Sequence, residues 1–277
     1  MFDVVVPIYR IKPDWLKQCL QSIQDQTIDD WKCFIVDGTP LTWPNYEESM
    51  LVVDSFVSTD SRFSYSRQTG DGVSQARNQA IAMGDSPLIA FLDGDDYWYH
   101  EHLIEFQVAH ENYEILEKCC TAEGVIYWTA ADCPITLTFP KSGEEHTTLR
   151  LANHIVNYDN MSKSEQYHAI AMSPLMTSQV AIKRSRYDEL EFGFDEELCL
   201  GEDQDLWLRI INNEHDAMQI PAVTGFHRAH AGQTTQHGDQ LGGDDNTRDE
   251  RLAASKERFR ERHKFVWSGD GVIRDVE

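Results

Sequence analysis

The sequence lacks the features of secreted, membrane-spanning and disulfide-stapled proteins. No apolar run approaches the roughly 20 residues of a transmembrane helix. The N-terminus runs directly into the strand-like segment Val4–Ile8, with no basic region before it. The six cysteines include no CxxC pair, and a chain of 277 residues is long enough to form a core without disulfides. We therefore predict a soluble protein of the cytoplasm.

Basic residues are also scarce. The chain has 24 Lys and Arg against 47 Asp and Glu, which gives a formal net charge of −23 with histidine neutral. This charge repels phosphate backbones and anionic lipid head groups, so it argues against bulk nucleic-acid binding. The 41% hydrophobic and 10% aromatic content is sufficient for a buried core and argues against disorder. Most of the acid is interpreted as solvated surface.

Short apolar runs alternate with helical patterns through the first half of the chain. We predict strands at Val4–Ile8, Cys33–Val36 and Leu88–Leu92, with a helix that opens at Pro13 between the first two. This alternation is typical of an α/β protein with a largely parallel sheet. Because open α/β sheets bind ligands at the carboxyl ends of their strands, the polar turns after these three strands predict one shared crevice.

The pattern loosens after residue 120. The elements predicted there are strands Val125–Thr129 and Gln179–Ile182, a helix from Glu202, a loop over Gly225–Gly243 and a closing helix over 247–266. The closing helix carries Leu252, Phe259 and Val266 seven residues apart, which predicts one apolar stripe. Without an internal repeat or a low-complexity linker, we divide the chain into a domain over 1–246 and a helical extension over 247–277.

Two aspartates follow the third predicted strand. Asp93 and Asp95 can direct oxygens to one hard cation, whose other ligands would be phosphate oxygens and water. An isolated Asp-x-Asp is more often an exposed acidic turn, and this interpretation stays open here. An EF-hand fails, because Tyr97 and Ile104 stand at positions five and twelve of the loop.

A series of segments in order carries a family resemblance. They are Val6–Tyr9, Ser22–Thr27, Phe34–Gly38, Gly72–Ile81, Phe91–Asp96, the stretches 193–196 and 201–209, and His227–His230. Together, over about residues 3–236, they resemble the inverting family 2 glycosyltransferases. The resemblance implies the GT-A fold, a Rossmann-like mixed sheet flanked by helices. It also implies transfer of a sugar from a nucleotide-diphosphate sugar to the hydroxyl of an acceptor.

The resemblance assigns roles to residues of this sequence. Asp203 corresponds to the general base, with Glu202 beside it. Asp95, with Asp93 and His230, corresponds to the site of a Mn²⁺ or Mg²⁺ ion. The residues expected at the bound donor are Pro7, Tyr9, Asp37, Arg77, Asp93 and Gly94.

The chemistry explains these residue types. Transfer expels a diphosphate, whose growing charge a divalent cation offsets. The acceptor hydroxyl is a poor nucleophile, so a carboxylate must take its proton. One departure concerns the base of the donor: many members have two aspartates after the second strand, whereas here Gly38 follows Asp37. A UDP-sugar is still the preferred donor.

Several alternatives remain at this level. A non-catalytic protein that binds sugar nucleotides or carbohydrate would keep the same fold. A sugar nucleotidyltransferase is expected to have a glycine-rich basic loop after the first strand, whereas residues 9–13 contain no glycine. A zinc site made by His227, His230 and His237 is another alternative, although the aspartates favour a harder ion. Trp98 and Trp207 are either a sugar platform or buried core. The acceptor, a glycan, lipid, protein or small molecule, is expected to contact the loops over 130–175 and 232–246.

Overall fold

The computed structural model describes residues 1–116, 124–138, 145–152, 175–211, 216–230, 245–263, 265–267 and 273–275. The strands are β1 (Phe2–Ile8), β2 (Trp31–Asp37), β3 (Phe63–Arg67), β4 (Leu88–Phe91), β5 (Tyr97–Trp98), β6 (Gly124–Thr138), β7 (Glu145–Ala152), β8 (Val180–Lys183), β9 (Asp216–Phe226), β10 (Phe265–Trp267) and β11 (Ile273–Asp275). The helices are α1 (Pro13–Gln24), α2 (Tyr46–Val57), α3 (Gly72–Ala82), α4 (His102–Leu116), α5 (Arg184–Asp188), α6 (Glu202–Ile211) and α7 (Asp245–His263). A 3₁₀ turn, Thr177–Gln179, precedes β8.

The central sheet is mixed. Among the described residues its strand order is β3-β2-β1-β4-β8-β6-β9-β5, with β7 paired to β6. The first four strands in that order are parallel, whereas β8 is antiparallel to both β4 and β6. The order β3-β2-β1-β4 arises because successive strands are joined by helices that cross over the sheet. The α/β class and the mixed sheet flanked by helices are confirmed.

The three strands predicted in the first half all form, as does the helix that begins at Pro13. Every residue of β1 is buried, as expected for a central strand covered on both faces. Helix α1 begins with a proline at its first position and directs Leu16, Leu20 and Ile23 into the core. On the opposite face, Ala76 and Ala80 of α3 belong to a second buried cluster.

The predicted convergence of strand ends is also observed. The backbone N–H of Gly38 donates to the carbonyl of Ile8 at 3.0 Å, which joins the ends of β2 and β1. A methyl group at Gly94, after β4, would lie 2.8 Å from Ile8 Cγ2, so only glycine allows this approach. The carboxyl ends of β1, β2 and β4 therefore lie next to one another.

The second half departs from the predictions in three places. The segment 130–175, predicted as a loop, contains the end of β6, which runs to Thr138, and β7, which pairs with it. The loop predicted from Gly225 starts later, because β9 extends to Phe226; residues 231–244 lie outside the described residues. The closing helix forms, but it ends at His263, and Val266 lies in β10. The apolar stripe through Val266 was therefore wrong, since the residue is not helical, although Phe259 is buried as expected.

Helix α7 is attached to α6 by ion pairs. Arg262 pairs with the buried Asp205 of α6 and with Asp195 in the preceding loop, at 2.7 Å for the second contact. His263 Nε2 lies 2.9 Å from Asp205. The predicted boundary after residue 246 falls within the first turn of this helix, which starts at Asp245. In the part of the chain that the structure describes, no helix has the length and apolarity needed to cross a membrane.

Candidate active site

The turn after β4 places its aspartates in different environments. Asp93 is about one-third exposed and Asp95 less so, at 34% and 17% of the side chain. Asp96 is buried and accepts hydrogen bonds from Ser178 Oγ at 2.6 Å and from the backbone N–H of Arg228 at 2.9 Å. The third aspartate of the turn is thus structural, while the side chains of Asp93 and Asp95 remain partly exposed.

The late histidine segment lies against this turn. His230 Nε2 is 2.8 Å from Asp95 Oδ2, although 135 residues separate them in sequence. His227 Nδ1 is 3.1 Å from Asp96 Oδ2. Burial opposes protonation of His227, but the hydrogen bond to Asp96 and the carboxylate charges outweigh it and raise the pKa. The structure therefore brings the predicted pair Asp95 and His230 together.

Arg77 joins the aspartate turn to the acid pair on α6. Its side chain is 4% exposed, and its two terminal nitrogens donate to Asp93 Oδ1 at 2.9 Å and to Glu202 Oε1 at 2.8 Å. The attraction of Asp93, Glu202 and Asp203 outweighs the desolvation of the guanidinium and raises its pKa. A buried permanent cation thus lies between three carboxylates from two distant parts of the chain.

Glu202 and Asp203 occupy the first turn of α6, where the positive end of the helix dipole stabilises negative charge. Glu202 is buried, and burial together with the charge of Asp203 raises the pKa of Glu202 to about 7 despite the pairing with Arg77. Asp203 is half-buried; its Oδ2 accepts a hydrogen bond from Thr177 Oγ1 at 2.7 Å. The two neighbouring carboxyls therefore have different environments.

The predicted donor-binding residues surround the same strand ends. Pro7 is buried within β1 and Tyr9 is half-buried just after it. Asp37 is fully buried; its carboxylate accepts from the N–H of Thr39 at 2.7 Å and pairs with Arg67. These partners fix the end of β2, and the contact of Asp37 with a donor stays a prediction.

Trp98, Trp207 and Asn78 pack or bond within the protein. Trp98 and Trp207 are buried, with 2% and 0% of the residue exposed, so the sugar-platform interpretation was wrong for both. Asn78 connects α3 to the loop before α6: its amide donates to the carbonyl of Phe194 at 2.9 Å and its oxygen accepts the N–H of Phe194 at 2.8 Å.

Ser178 and Arg228, to which the sequence assigned no role, also hold the aspartate turn. Ser178 Oγ accepts the N–H of Asp93 at 3.1 Å while donating to Asp96. Arg228 Nε donates to the carbonyl of Asp95 at 2.8 Å. No local pattern marks these residues, because their partners lie 85 and 133 residues away.

The chemistry of the donor set fits a hard divalent cation. Asp95 Oδ2 and His230 Nε2 are adjacent and partly exposed, as two ligands of one ion would be. Within the described ranges, no group of three or more His, Cys, Asp and Glu side chains is arranged to hold an ion by itself. An ion bound here would therefore complete its coordination with donor phosphate oxygens and water. His227 faces Asp96, and His237 of the zinc alternative lies outside the described residues.

Part of the chain matches a known protein family. The family model described as Glycosyl transferase family 2 matches residues 3–114, which include β1 to β4 and the aspartate turn. Residues 3–114 are therefore similar to family 2 glycosyltransferases. The uncharacterized glycosyltransferase EpsJ of Bacillus subtilis is 32% identical over 98 residues, 35% of this chain and 26% of EpsJ. The match thus spans about a quarter of that relative's length.

The structural similarity extends beyond the residues that the family model matches. Staphylococcus aureus TarS 1–349, solved in complex with UDP-GlcNAc, superposes with a TM-score of 0.62 at 15% identity over 94% of this chain and 72% of that chain. The mannosyltransferase PcManGT of Pyrobaculum calidifontis, in complex with GDP-Man and Mn²⁺, has a TM-score of 0.55 at 14% identity over 94% and 69%. The GT-A fold predicted from the sequence is confirmed.

Proposed function

We propose that this chain is a metal-dependent, inverting glycosyltransferase that moves a sugar from a nucleotide-diphosphate sugar to an acceptor hydroxyl, with Asp203 as general base. One observation carries the proposal. The two donor groups of Arg77 bind Asp93 and Glu202, which places the acid pair of α6 beside the aspartate turn that ends β4. A crevice with a cation-binding end and a basic carboxylate end is what such a transfer needs.

Each carboxylate then has a separate task. Asp95 and His230 would hold a Mn²⁺ or Mg²⁺ ion, which offsets the charge that develops on the departing diphosphate. Asp203 takes the proton of the attacking hydroxyl. Each carboxylate oxygen can accept two hydrogen bonds, so the bond from Thr177 leaves a free position for the hydroxyl of the acceptor substrate. Arg77 holds Asp93 and Glu202 in place and supplies the positive charge that keeps the acidic cluster together.

The two solved neighbours guide the choice of donor. TarS binds UDP-GlcNAc and PcManGT binds GDP-Man with Mn²⁺. We propose a UDP-sugar as the donor of this chain. GDP-mannose is the alternative donor against which this choice is tested. Because Gly38 has no side chain to contact a base, other groups at the end of β2 must distinguish the base of a UDP-sugar from that of GDP-mannose.

A donor screen tests the proposal. UDP-glucose, UDP-galactose, UDP-GlcNAc and GDP-mannose are added with MnCl₂ or EDTA, and binding is measured as the shift in melting temperature. Release of the nucleoside diphosphate from the donor that binds is then measured with wild type and with Asp203→Asn. We expect release that requires Mn²⁺ or Mg²⁺ and falls at least about 100-fold in the variant, the usual range for loss of a general base.

The matched control is Asp188→Asn, the same isosteric change at an exposed position of α5. It should release diphosphate at the wild-type rate. Equal rates in wild type and Asp203→Asn would refute the assignment of the base. Tight donor binding with no transfer to a panel of glycan, lipid and peptide acceptors would favour a non-catalytic binding protein instead.

A further inference from the structure

We propose that the 3₁₀ turn Thr177–Gln179 is a positioning element that holds the general base and the cation-binding turn in one fixed relation. This inference rests on the proposed function. Neither Thr177 nor Ser178 is given a part in the proton transfer itself. Their part is to orient the groups that act.

Adjacent hydroxyls of the turn point to the two ends of the site. Thr177 Oγ1 donates to Asp203 Oδ2 at 2.7 Å. Ser178 Oγ donates to Asp96 Oδ2 at 2.6 Å and accepts the N–H of Asp93 at 3.1 Å. A shift of the turn would therefore move the base and the aspartates together.

The turn is itself rigidly held. All three of its residues are buried, and the carbonyl of Ser178 accepts the indole N–H of Trp98 at 2.6 Å. Gln179 Nε2 donates to the same carbonyl at 2.9 Å. Buried, hydrogen-bonded groups in close-packed surroundings have one arrangement, which is the property that a positioning element needs.

A chain of buried hydrogen bonds supports the turn from behind. Gln179 Oε1 accepts from Thr129 Oγ1 at 2.9 Å, and Thr129 accepts from Thr224 Oγ1 at 2.6 Å. Thr224 in turn lies 2.7 Å from His102 Nδ1. Burial lowers the pKa of His102, so the imidazole is neutral. Because Thr224 donates its hydroxyl hydrogen to Thr129, it accepts from His102, and the proton of the imidazole is therefore on Nδ1. The relay connects β6, β9 and α4 to the turn.

The hydroxyl of Thr177 has a specific expected effect. Without it, the carboxylate of Asp203 loses one fixed partner and samples orientations away from the acceptor. A hydrogen bond to a charged group is worth enough that Thr177→Val should lower kcat by about 10- to 100-fold. Since the donor and the cation contact other residues, KM for the donor and the affinity for Mn²⁺ should stay near wild type.

The experiment compares Thr177→Val, Thr177→Ser and the control Thr59→Val, an isosteric change at an exposed threonine near the end of α2. The assay is diphosphate release from the donor identified above, with kcat and KM measured separately. Thr177→Ser keeps the hydroxyl and should retain at least about one-third of the wild-type kcat, since its cost is the lost methyl alone. Equal losses in the Val and Ser variants, or no loss in either, would overturn the proposal for Thr177.

Ser178 is tested by a measurement that does not need turnover. Mn²⁺ binding in the presence of UDP is followed by electron paramagnetic resonance for wild type, Ser178→Ala and the exposed control Ser55→Ala. We expect about tenfold weaker Mn²⁺ binding in Ser178→Ala, because the N–H of Asp93 and the carboxylate of Asp96 lose their shared partner. Wild-type affinity in this variant would refute the role of Ser178.

Failure of the proposed function gives a different result. If wild type and Asp203→Asn release diphosphate at the same rate, the base assignment fails before the turn is tested. If Asp203→Asn is inactive and Thr177→Val is fully active, only the positioning role fails. Should Ser178→Ala not fold, as judged by its melting curve, the Thr177 pair decides the proposal.

Discussion

Replacement of Glu202 by glutamine tests the electrostatics of the acid pair. Burial and the charge of Asp203 raise the pKa of Glu202 from 4.5 to about 7. A carboxyl whose pKa is higher in the folded state stabilises the folded protein when the carboxyl is protonated. The contribution of Glu202 to the free energy of unfolding is therefore fully present below about pH 4.5 and is lost as the pH rises through 7. The difference of about 2.5 pKa units corresponds to about 3 kcal/mol of unfolding free energy.

Glutamine resembles the protonated carboxyl at every pH, and its side-chain oxygen can still accept from Arg77. The free energy of unfolding of Glu202→Gln should therefore exceed that of wild type by less than about 1 kcal/mol at pH 5 and by about 3 kcal/mol at pH 8. Urea unfolding at both pH values measures the difference, with Asp188→Asn as control. A difference that stays constant between pH 5 and pH 8, or that is larger at pH 5, would refute this reasoning.

Three further changes probe the contacts around the site. Arg77→Met leaves Glu202 buried without its cation, so it should cost about 3–5 kcal/mol at pH 8 and less at pH 5, and adding Glu202→Gln should restore part of the loss in urea unfolding. Asp205→Asn should weaken the attachment of α7; its pKa is lowered to about 2 by neighbouring cations despite burial, so about 2 kcal/mol present above pH 4 should be lost, with faster hydrogen exchange in that helix. Gly94→Ala forces a methyl group to 2.8 Å from Ile8 Cγ2, and we expect about 1–3 kcal/mol of destabilisation in thermal melting and weaker Mn²⁺ binding.

Each of these expectations has a clear contrary result. Equal losses at pH 5 and pH 8 in Arg77→Met would show that the unpaired carboxylate is not the cause. Unchanged exchange in α7 after Asp205→Asn would mean that its apolar contacts, such as Phe259, suffice to hold the helix. An unaltered melting temperature and Mn²⁺ affinity in Gly94→Ala would show that the end of β1 can move aside.

The sequence was most informative where the chain folds through local periodicity. The runs at β1, β2 and β4 are apolar because both faces of a central strand are covered, and this pattern is visible without a structure. Helix α1 was evident from its opening proline and its apolar spacing. The closing helix was predicted too long, since nothing local distinguishes Val266 from the preceding helical stripe.

In the site, too, local motifs were found from the sequence, whereas contacts between distant residues were not. The aspartate turn and the acid pair at the start of α6 were found because they are contiguous motifs with a known family order. Their roles as cation ligands and base remain predictions. The assignment of Ser178 and Thr177 to the site required coordinates, because the relevant contacts join residues 26 to 85 positions apart.

By itself, the sequence determined the α/β class, the resemblance to family 2 glycosyltransferases and the acidic residues that gather at the strand ends. Periodicity and motif order are properties of the chain that survive without coordinates. Only the tertiary structure decided which acids are linked by Arg77, which tryptophans are buried and which hydroxyls hold the base. The physical reason is that hydrogen bonds and ion pairs depend on distances of about 3 Å between groups that the chain brings together only when it folds.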